Sequence, residues 1–401
     1  ERGLHYFSGT PLEGQSLEDL EQLFYAQLDK LKTGDFDMEL VQSIVLNQKV
    51  QEIRQYESYA GTAYSLLDAF VLGKNWSAEL SGLDAMLNYS KEDIMAFAKK
   101  YYTEGHIVIY KKQGEQPDLG KIEKPEITKV EVNRGKTSPF VQDILSRDAK
   151  SISPQVLDYT TAIEFDNLKN VPIWRVAEGD KQLFSLYYVL DIGSFNDQKL
   201  AMAVDYLKYL GTDKYSADQI SEEFYKLACD FGVSTGQDQS YVYLNGLASN
   251  FDEALKLFEH LIANAQPNQS KLDVYVNQII KSRENAKLNK GSIMSKLRSY
   301  ALYGAQNPSN YMLSTAQLKD LKADELTTYI HDLTSYKHKI WYSGPLSMVE
   351  LKTKMIEMHT LPSKFLETPP LKEFEMLETT TPKVYFANYE MVQAEIMWLK
   401  K

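Results

Sequence analysis

Leu183-Phe184-Ser185-Leu186-Tyr187-Tyr188-Val189-Leu190 is an unbroken apolar and aromatic run. It turns at Asp191-Ile192-Gly193-Ser194 and leads into a helical stretch from about Lys199 to Leu210 that stops at Gly211-Thr212. A run of this length, rich in aromatic and branched residues and bounded by a glycine turn, reads as a buried strand; the stretch after it carries the helical period. Working back, strands are expected around Ala162-Ile163-Glu164-Phe165 and Val171-Pro172-Ile173-Trp174-Arg175-Val176. Strands first, then one long helix, then more helices and strands predict an α+β fold with a mixed or antiparallel sheet packed against helices.

The later part of this unit has an earlier counterpart. Asn88-Tyr89-Ser90-Lys91-Glu92-Asp93-Ile94 opens a helix with Ser90 as its cap, and Asp320-Leu321-Lys322-Ala323-Asp324-Glu325-Leu326 lies 232 positions on. The strand-like His106-Ile107-Val108-Ile109-Tyr110 faces His338-Lys339-Ile340-Trp341-Tyr342 at the same shift of 232. Phe70-Val71-Leu72-Gly73 pairs with Tyr300-Ala301-Leu302-Tyr303-Gly304, and Leu20-Glu21-Gln22-Leu23-Phe24 resembles Leu255-Lys256-Leu257-Phe258. A nearly constant shift across helix, turn, helix and strand implies duplication. The earlier copy lacks the front half of the later one, so residues 1–112 are expected to be the back part of a domain. Residues 113–155, rich in Pro and Gly and poor in periodic apolar positions, predict a linker. Residues 156–365 would be one complete domain, and 366–401 would open a further one, with strands at Lys383-Val384-Tyr385-Phe386 and Val392–Leu399.

Composition narrows the function. The net charge of −11 opposes phosphate backbones, and no basic stripe with interleaved aromatics is present, so nucleic acid is not an expected partner. No run approaches the roughly 18 apolar residues a membrane-spanning helix needs. The single cysteine, Cys229, follows Phe224-Tyr225-Lys226-Leu227-Ala228 on what reads as an apolar helical face; it excludes internal disulfides and multi-cysteine metal sites.

The order of strand, strand ending in Asp191-Ile192-Gly193-Ser194, helix ending in Leu210-Gly211-Thr212, helix, strand, helices and strand resembles one domain of the pitrilysin/insulinase (inverzincin) peptidases. The resemblance implies repeated domains like those of mitochondrial processing peptidase, four of which form two bowl-shaped halves around a closed chamber. It also implies chemistry at H-x-x-E-H on the long helix of a first domain, where two histidines four apart grip zinc, the glutamate polarises water and a distal glutamate completes the ligands. Counted back from Gly211-Thr212, the matching window here is Met202-Ala203-Val204-Asp205-Tyr206, with Arg283 at the distal-ligand register. Met202 and Tyr206 are poor substitutes for imidazoles, Asp205 is shorter than the general base, and a guanidinium does not bind zinc. The resemblance therefore implies a non-catalytic domain that binds no cofactor, with zinc held in a catalytic domain elsewhere in a parent protein.

Other chemistry is sparse. His5, His106, His260, His331, His338 and His359 include no H-x₃-H pair, so each reads as an ordinary strand-end or surface histidine. Tyr206-Leu207-Lys208-Tyr209-Leu210 has the spacing of a helix packing on a sheet, and Glu222-Glu223 and Asp252-Glu253 are expected in helical first turns. Neither G-x-S-x-G nor a Gly-rich phosphate loop occurs.

The expectation is thus a segment of a zinc-dependent metalloendopeptidase that supplies chamber wall and inter-half linker and is inactive by itself. Its expected partners are peptide substrates, held by addition to a sheet edge, and the catalytic half of the same polypeptide; the expected location is the bacterial periplasm or cell envelope. Two alternatives remain at this level. One is a non-catalytic interaction or scaffold protein built from the same domains. In the other, the earlier copy is itself catalytic, with Glu52 near the distal-ligand position.

Overall fold

The computed structural model describes residues 4–11, 14–112, 114, 125–129, 132, 134–149, 151–156, 158–177, 181–390 and 394–400. The front of the chain is helical: α1 (Leu17–Thr33), α2 (Met38–Glu57), α3 (Tyr59–Val71), α4 (Trp76–Met86) and α5 (Lys91–Tyr101), followed by α6 (Pro139–Ser146) and α7 (Tyr159–Ala162). Ser16 and Ser90 close capping boxes with Asp19 and Asp93, each satisfying two backbone N–H groups that a helix start would leave unpaired.

The chain divides into two compact units, residues 1–36 with 90–158 and residues 37–89 with 159–401, so residues 1–112 are shared between them. In the first unit α1 packs on α5. Residues 106–110 form no strand, contrary to the sequence reading. Side chains hold this segment to α1 instead: His106 Nε2 lies 2.8 Å from the Tyr25 hydroxyl, and Tyr110 donates to Glu21. A strand needs a neighbouring backbone to complete its ladder. The later counterpart has two such neighbours, whereas no strand lies beside 106–110 among the described residues. Lys383–Phe386 and 394–399 likewise form no ladder, and Val392 and Gln393 lie outside the described residues, as do Gln113 and residues 115–124 of the expected linker.

The second unit carries a sheet built from β1 (Ile163–Leu168), β2 (Val171–Ala177), β3 (Leu183–Leu190), β4 (Cys229–Thr235), β5 (Ser240–Leu247) and β6 (His338–Gly344). Among the described residues its order is β1-β2-β6-β3-β5-β4, antiparallel throughout except for the parallel pair β2 and β6. α8 (Gln198–Tyr206) follows β3, α9 (Ala217–Lys226) precedes β4, and α10 (Phe251–Asn264) follows β5. Then come α11 (Gln269–Ala286), α12 (Lys290–Tyr303), α13 (Thr315–Asp320), α14 (Ala323–His331) and, after β6, α15 (Met348–Met358). The fold is α+β, a mixed sheet packed against helices.

Alternation explains the two faces of the sheet. Ile173, Leu186, Tyr188, Leu190, Val242, Leu244, Ile340 and Tyr342 are buried and join the core formed with α8, α10, α14 and α15. The opposite face presents a row of rings: Phe165 on Trp174, and Trp341 on Tyr187 on Tyr243. Gly232 is required beneath that row, because a Cβ there would sit 2.2 Å from the Tyr243 ring. In the same unit Val50 of α2 closes over Leu183 and Ala228, and Asn47 Nδ2 donates to the Tyr225 carbonyl at 2.7 Å.

Two local expectations are corrected. Cys229 is not on a helix: Ala228 adopts a left-handed φ of 47° after α9, and Cys229 opens β4, buried against Gly246. Glu222 and Glu223 are not in a first turn, because α9 starts at the Ser216 cap with Asp218; they pair instead with Lys226 at 3.1 and 2.9 Å. No helix among the described residues is long and apolar enough to cross a membrane.

Candidate functional site

α8 starts at Asp197, whose carboxylate accepts from the Lys199 and Leu200 N–H groups, and after Tyr206 it tightens into a 3₁₀ turn over Leu207–Tyr209. Met202 and Tyr206, four apart, share one helical face. Met202 is half-buried against the core. Tyr206 is fully buried, and its hydroxyl donates to the Asn268 carbonyl at 2.6 Å while accepting from the Asn268 N–H at 3.0 Å. Asn268 is the cap of α11, so this tyrosine pins the start of that helix to α8.

Asp205 accepts from the Tyr275 hydroxyl at 3.2 Å and lies 3.4 Å from the Thr235 hydroxyl. Burial raises its carboxyl above the usual range, against the opposing pull of Lys208, Tyr275 and Thr235. Tyr209 packs on Tyr275 at 5.2 Å, with the Lys208 ammonium beside both rings. Arg283, in the last turns of α11, donates to the Leu313 carbonyl at 2.6 Å. The fold thus brings Asp205 and Tyr206 against α11, but no hydrogen bond or ion pair joins Arg283 to Met202, Asp205 or Tyr206 among the described residues. A thioether, a phenol committed to backbone, one carboxylate and a guanidinium do not fit a zinc ion.

The strongest cluster of ionisable groups lies where no motif pointed. His338 Nδ1 is 2.8 Å from the Tyr336 carbonyl, its Nε2 is 2.9 Å from His359 Nε2, and His359 Nδ1 is 2.9 Å from Glu259 Oε1. Tyr188 donates to the same Glu259 oxygen. Both imidazoles are buried. The proton positions follow by elimination, because a carbonyl only accepts. His338 donates through Nδ1, so its Nε2 lone pair receives the His359 Nε2–H, and one proton remains between His359 Nδ1 and Glu259. Burial, reinforced by the charge of His359, lowers the His338 pKa to about 4. Burial, with Glu259 beside it, holds the Tyr188 phenol well above its ordinary value.

The partners stand 21, 100 and 71 positions apart, which is why histidine spacing missed them. A weaker signal was present: His338 shares the period-two face of Ile340 and Tyr342, so it had to point inward. His331 Nε2 lies 2.9 Å from the Ala265 carbonyl, and His260 lies between Thr212 and Asn264. Among the described residues no group of three or more His, Cys, Asp or Glu side chains is placed to hold a metal ion.

Residues 180–316 match the family described as Insulinase (Peptidase family M16). No curated protein matches the sequence. Similar solved structures include an M16 peptidase inactive domain from Pseudomonas fluorescens, at 18% identity and a TM-score of 0.45, over 53% of this chain and 54% of that one. A protease from Helicobacter pylori aligns at 13% identity and a TM-score of 0.44, over 54% of each chain. The periplasmic protease PqqL from Escherichia coli aligns at 11% identity and a TM-score of 0.47, over 90% of this chain and 43% of that one. The chain spans about half the length of these structures.

Proposed function

With a domain of the insulinase (M16) peptidase family over residues 180–316, we propose that this chain is the non-catalytic part of a zinc-dependent metalloendopeptidase, supplying chamber wall and inter-half linker around peptide substrates. The observation that carries the reading is the state of α8 inside that domain. Tyr206 is bonded to the cap of α11 and Asp205 to Tyr275, which supports a packing role for the motif helix. Zinc, where it acts, belongs to a catalytic domain of the parent polypeptide, and that half is the proposed partner. A periplasmic or cell-envelope location is part of the same proposal and is tested by fractionation.

The test compares residues 1–401 with the parent polypeptide in a peptide-digestion assay, with and without chelator. The parent is expected to cleave and to lose activity in chelator, while residues 1–401 neither cleave nor retain one zinc per chain by elemental analysis. Hydrolysis or stoichiometric zinc from residues 1–401 alone overturns the assignment; a parent inert in every condition favours a scaffold.

A further inference from the structure

Residues 281–298 concentrate positive charge: Lys281, Arg283, Lys287, Lys290, Lys296 and Arg298 stand against Glu284 alone, in a chain whose net charge is −11. They form the end of α11, the turn after it and the first part of α12. Ile293, Lys296, Leu297 and Tyr300 recur on α12 at the spacing of one helical face. That face lines an open pocket of about 360 Å³, together with Ala286 and Lys287 of α11, Asn307, Asn310 and Ala387. The segment carrying Ala387 is held along α12. The Leu377 N–H donates to the Leu302 carbonyl at 2.7 Å, Tyr385 meets the Tyr300 ring edge-on at 5.8 Å, and the Tyr389 hydroxyl donates to the Leu288 carbonyl at 2.8 Å.

The neutral polar groups of the lining do not choose the sign of a ligand. Asn307 is buried and committed, accepting from the Ser299 hydroxyl at 3.0 Å and donating to the Gly304 carbonyl at 2.8 Å. Asn310 Nδ2 donates to the Ala305 carbonyl at 3.3 Å, and the Tyr300 hydroxyl can donate or accept. Charge does choose, because the charged lining is Lys287 and Lys296, with no carboxylate in the wall. Lys287 pairs at 2.8 Å with Glu284 in an exposed contact of the kind that contributes little. Lys296 makes no hydrogen bond or ion pair among the described residues.

We propose that this pocket binds a carboxylate carried on an apolar stem, with the Lys296 ammonium on the carboxylate. The stem lies against Ile293, Leu297, Ala387 and the Tyr300 ring. An ammonium without a partner supplies the charge-assisted donor that a carboxylate takes, and the apolar walls favour a ligand with a hydrocarbon body over a bare anion. The volume falls at the small end of the range for ligand pockets. This site is independent of the peptidase reading.

The experiment titrates residues 1–401 at low salt with octanoate, butanoate and uncharged octanamide, following the ligand by saturation-transfer NMR. Octanoate is expected to bind saturably. Octanamide, which lacks the charge, and butanoate, which lacks much of the stem, are each expected to bind at least about threefold more weakly. The double variant Lys287→Gln with Lys296→Gln is expected to weaken octanoate at least about threefold. Lys281→Gln with Lys319→Gln removes the same charge outside the pocket and is expected to leave octanoate binding within about twofold. All four lysines are exposed, so neither variant touches the core. Octanamide or butanoate binding as tightly as octanoate, undiminished binding by the pocket variant, equal losses in the two double variants, or no saturable binding overturns the proposal. Given octanoate binding, acetyl-Gly-Leu as the free acid then distinguishes a peptide C-terminus from a free apolar acid as the natural source.

Discussion

Tyr206 shows how one buried phenol can tie two helices together. Its buried hydroxyl bonds both the N–H and the carbonyl of Asn268, while that carbonyl also accepts from the Leu272 N–H at 3.0 Å, so Tyr206→Phe removes two hydrogen bonds at the start of α11 and should cost about 1 kcal/mol in urea denaturation. Asp205 has the opposite character. Its carboxyl is raised by burial, so folding favours its protonated form, and the stability it withholds at neutral pH returns as pH falls through its titration. Asp205→Asn should therefore raise Tm at pH 7 and do so less in acid. His338 has the reverse sign to Asp205. Unfolded, it takes a proton below its ordinary value of 6.5; folded, it does so only below about 4. Its contribution is complete above pH 6.5 and is lost as pH falls from 6.5 to 4, by up to about 3 kcal/mol. Urea midpoints across that window should fall more steeply in the native chain than in His338→Gln; parallel curves would refute the assignment.

At the scale of elements, β6 illustrates why a helix or strand is not legible from its own residues alone. His106–Tyr110 and His338–Tyr342 read alike, yet only the second becomes a strand, between β2 and β3. The difference lies in the partners, because an isolated strand cannot satisfy its own backbone. Helix boundaries behaved better: Ser90 caps α5 as its sequence implied, and Gly73 and Gly304 both take positive φ, at 64° and 79°, just beyond α3 and α12. Ser90→Ala should cost about 1 kcal/mol, read as a loss in chemical-denaturation stability.

For the whole molecule, the consequential finding is that α2 packs with the sheet unit although it lies far upstream. Val50 is buried against Leu183 and Ala228, and Arg54 reaches Asp230 at 3.5 Å. Val50→Asp places a charge in that contact and should destabilise the unit by several kcal/mol. Hydrogen exchange should show lost protection in β3 and at the start of β4, and unchanged exchange there would remove α2 from the core.

The sequence by itself determined the class of fold, the strands over 163–177 and 183–190, and the helix carrying Met202, Asp205 and Tyr206. These follow from local periodicity. Tertiary structure alone decided which apolar run gained strand partners, where Arg283 went, and that Tyr188, Glu259, His338 and His359 meet. Those outcomes depend on contacts between segments up to 171 positions apart in the chain, and no local pattern encodes a distance in space.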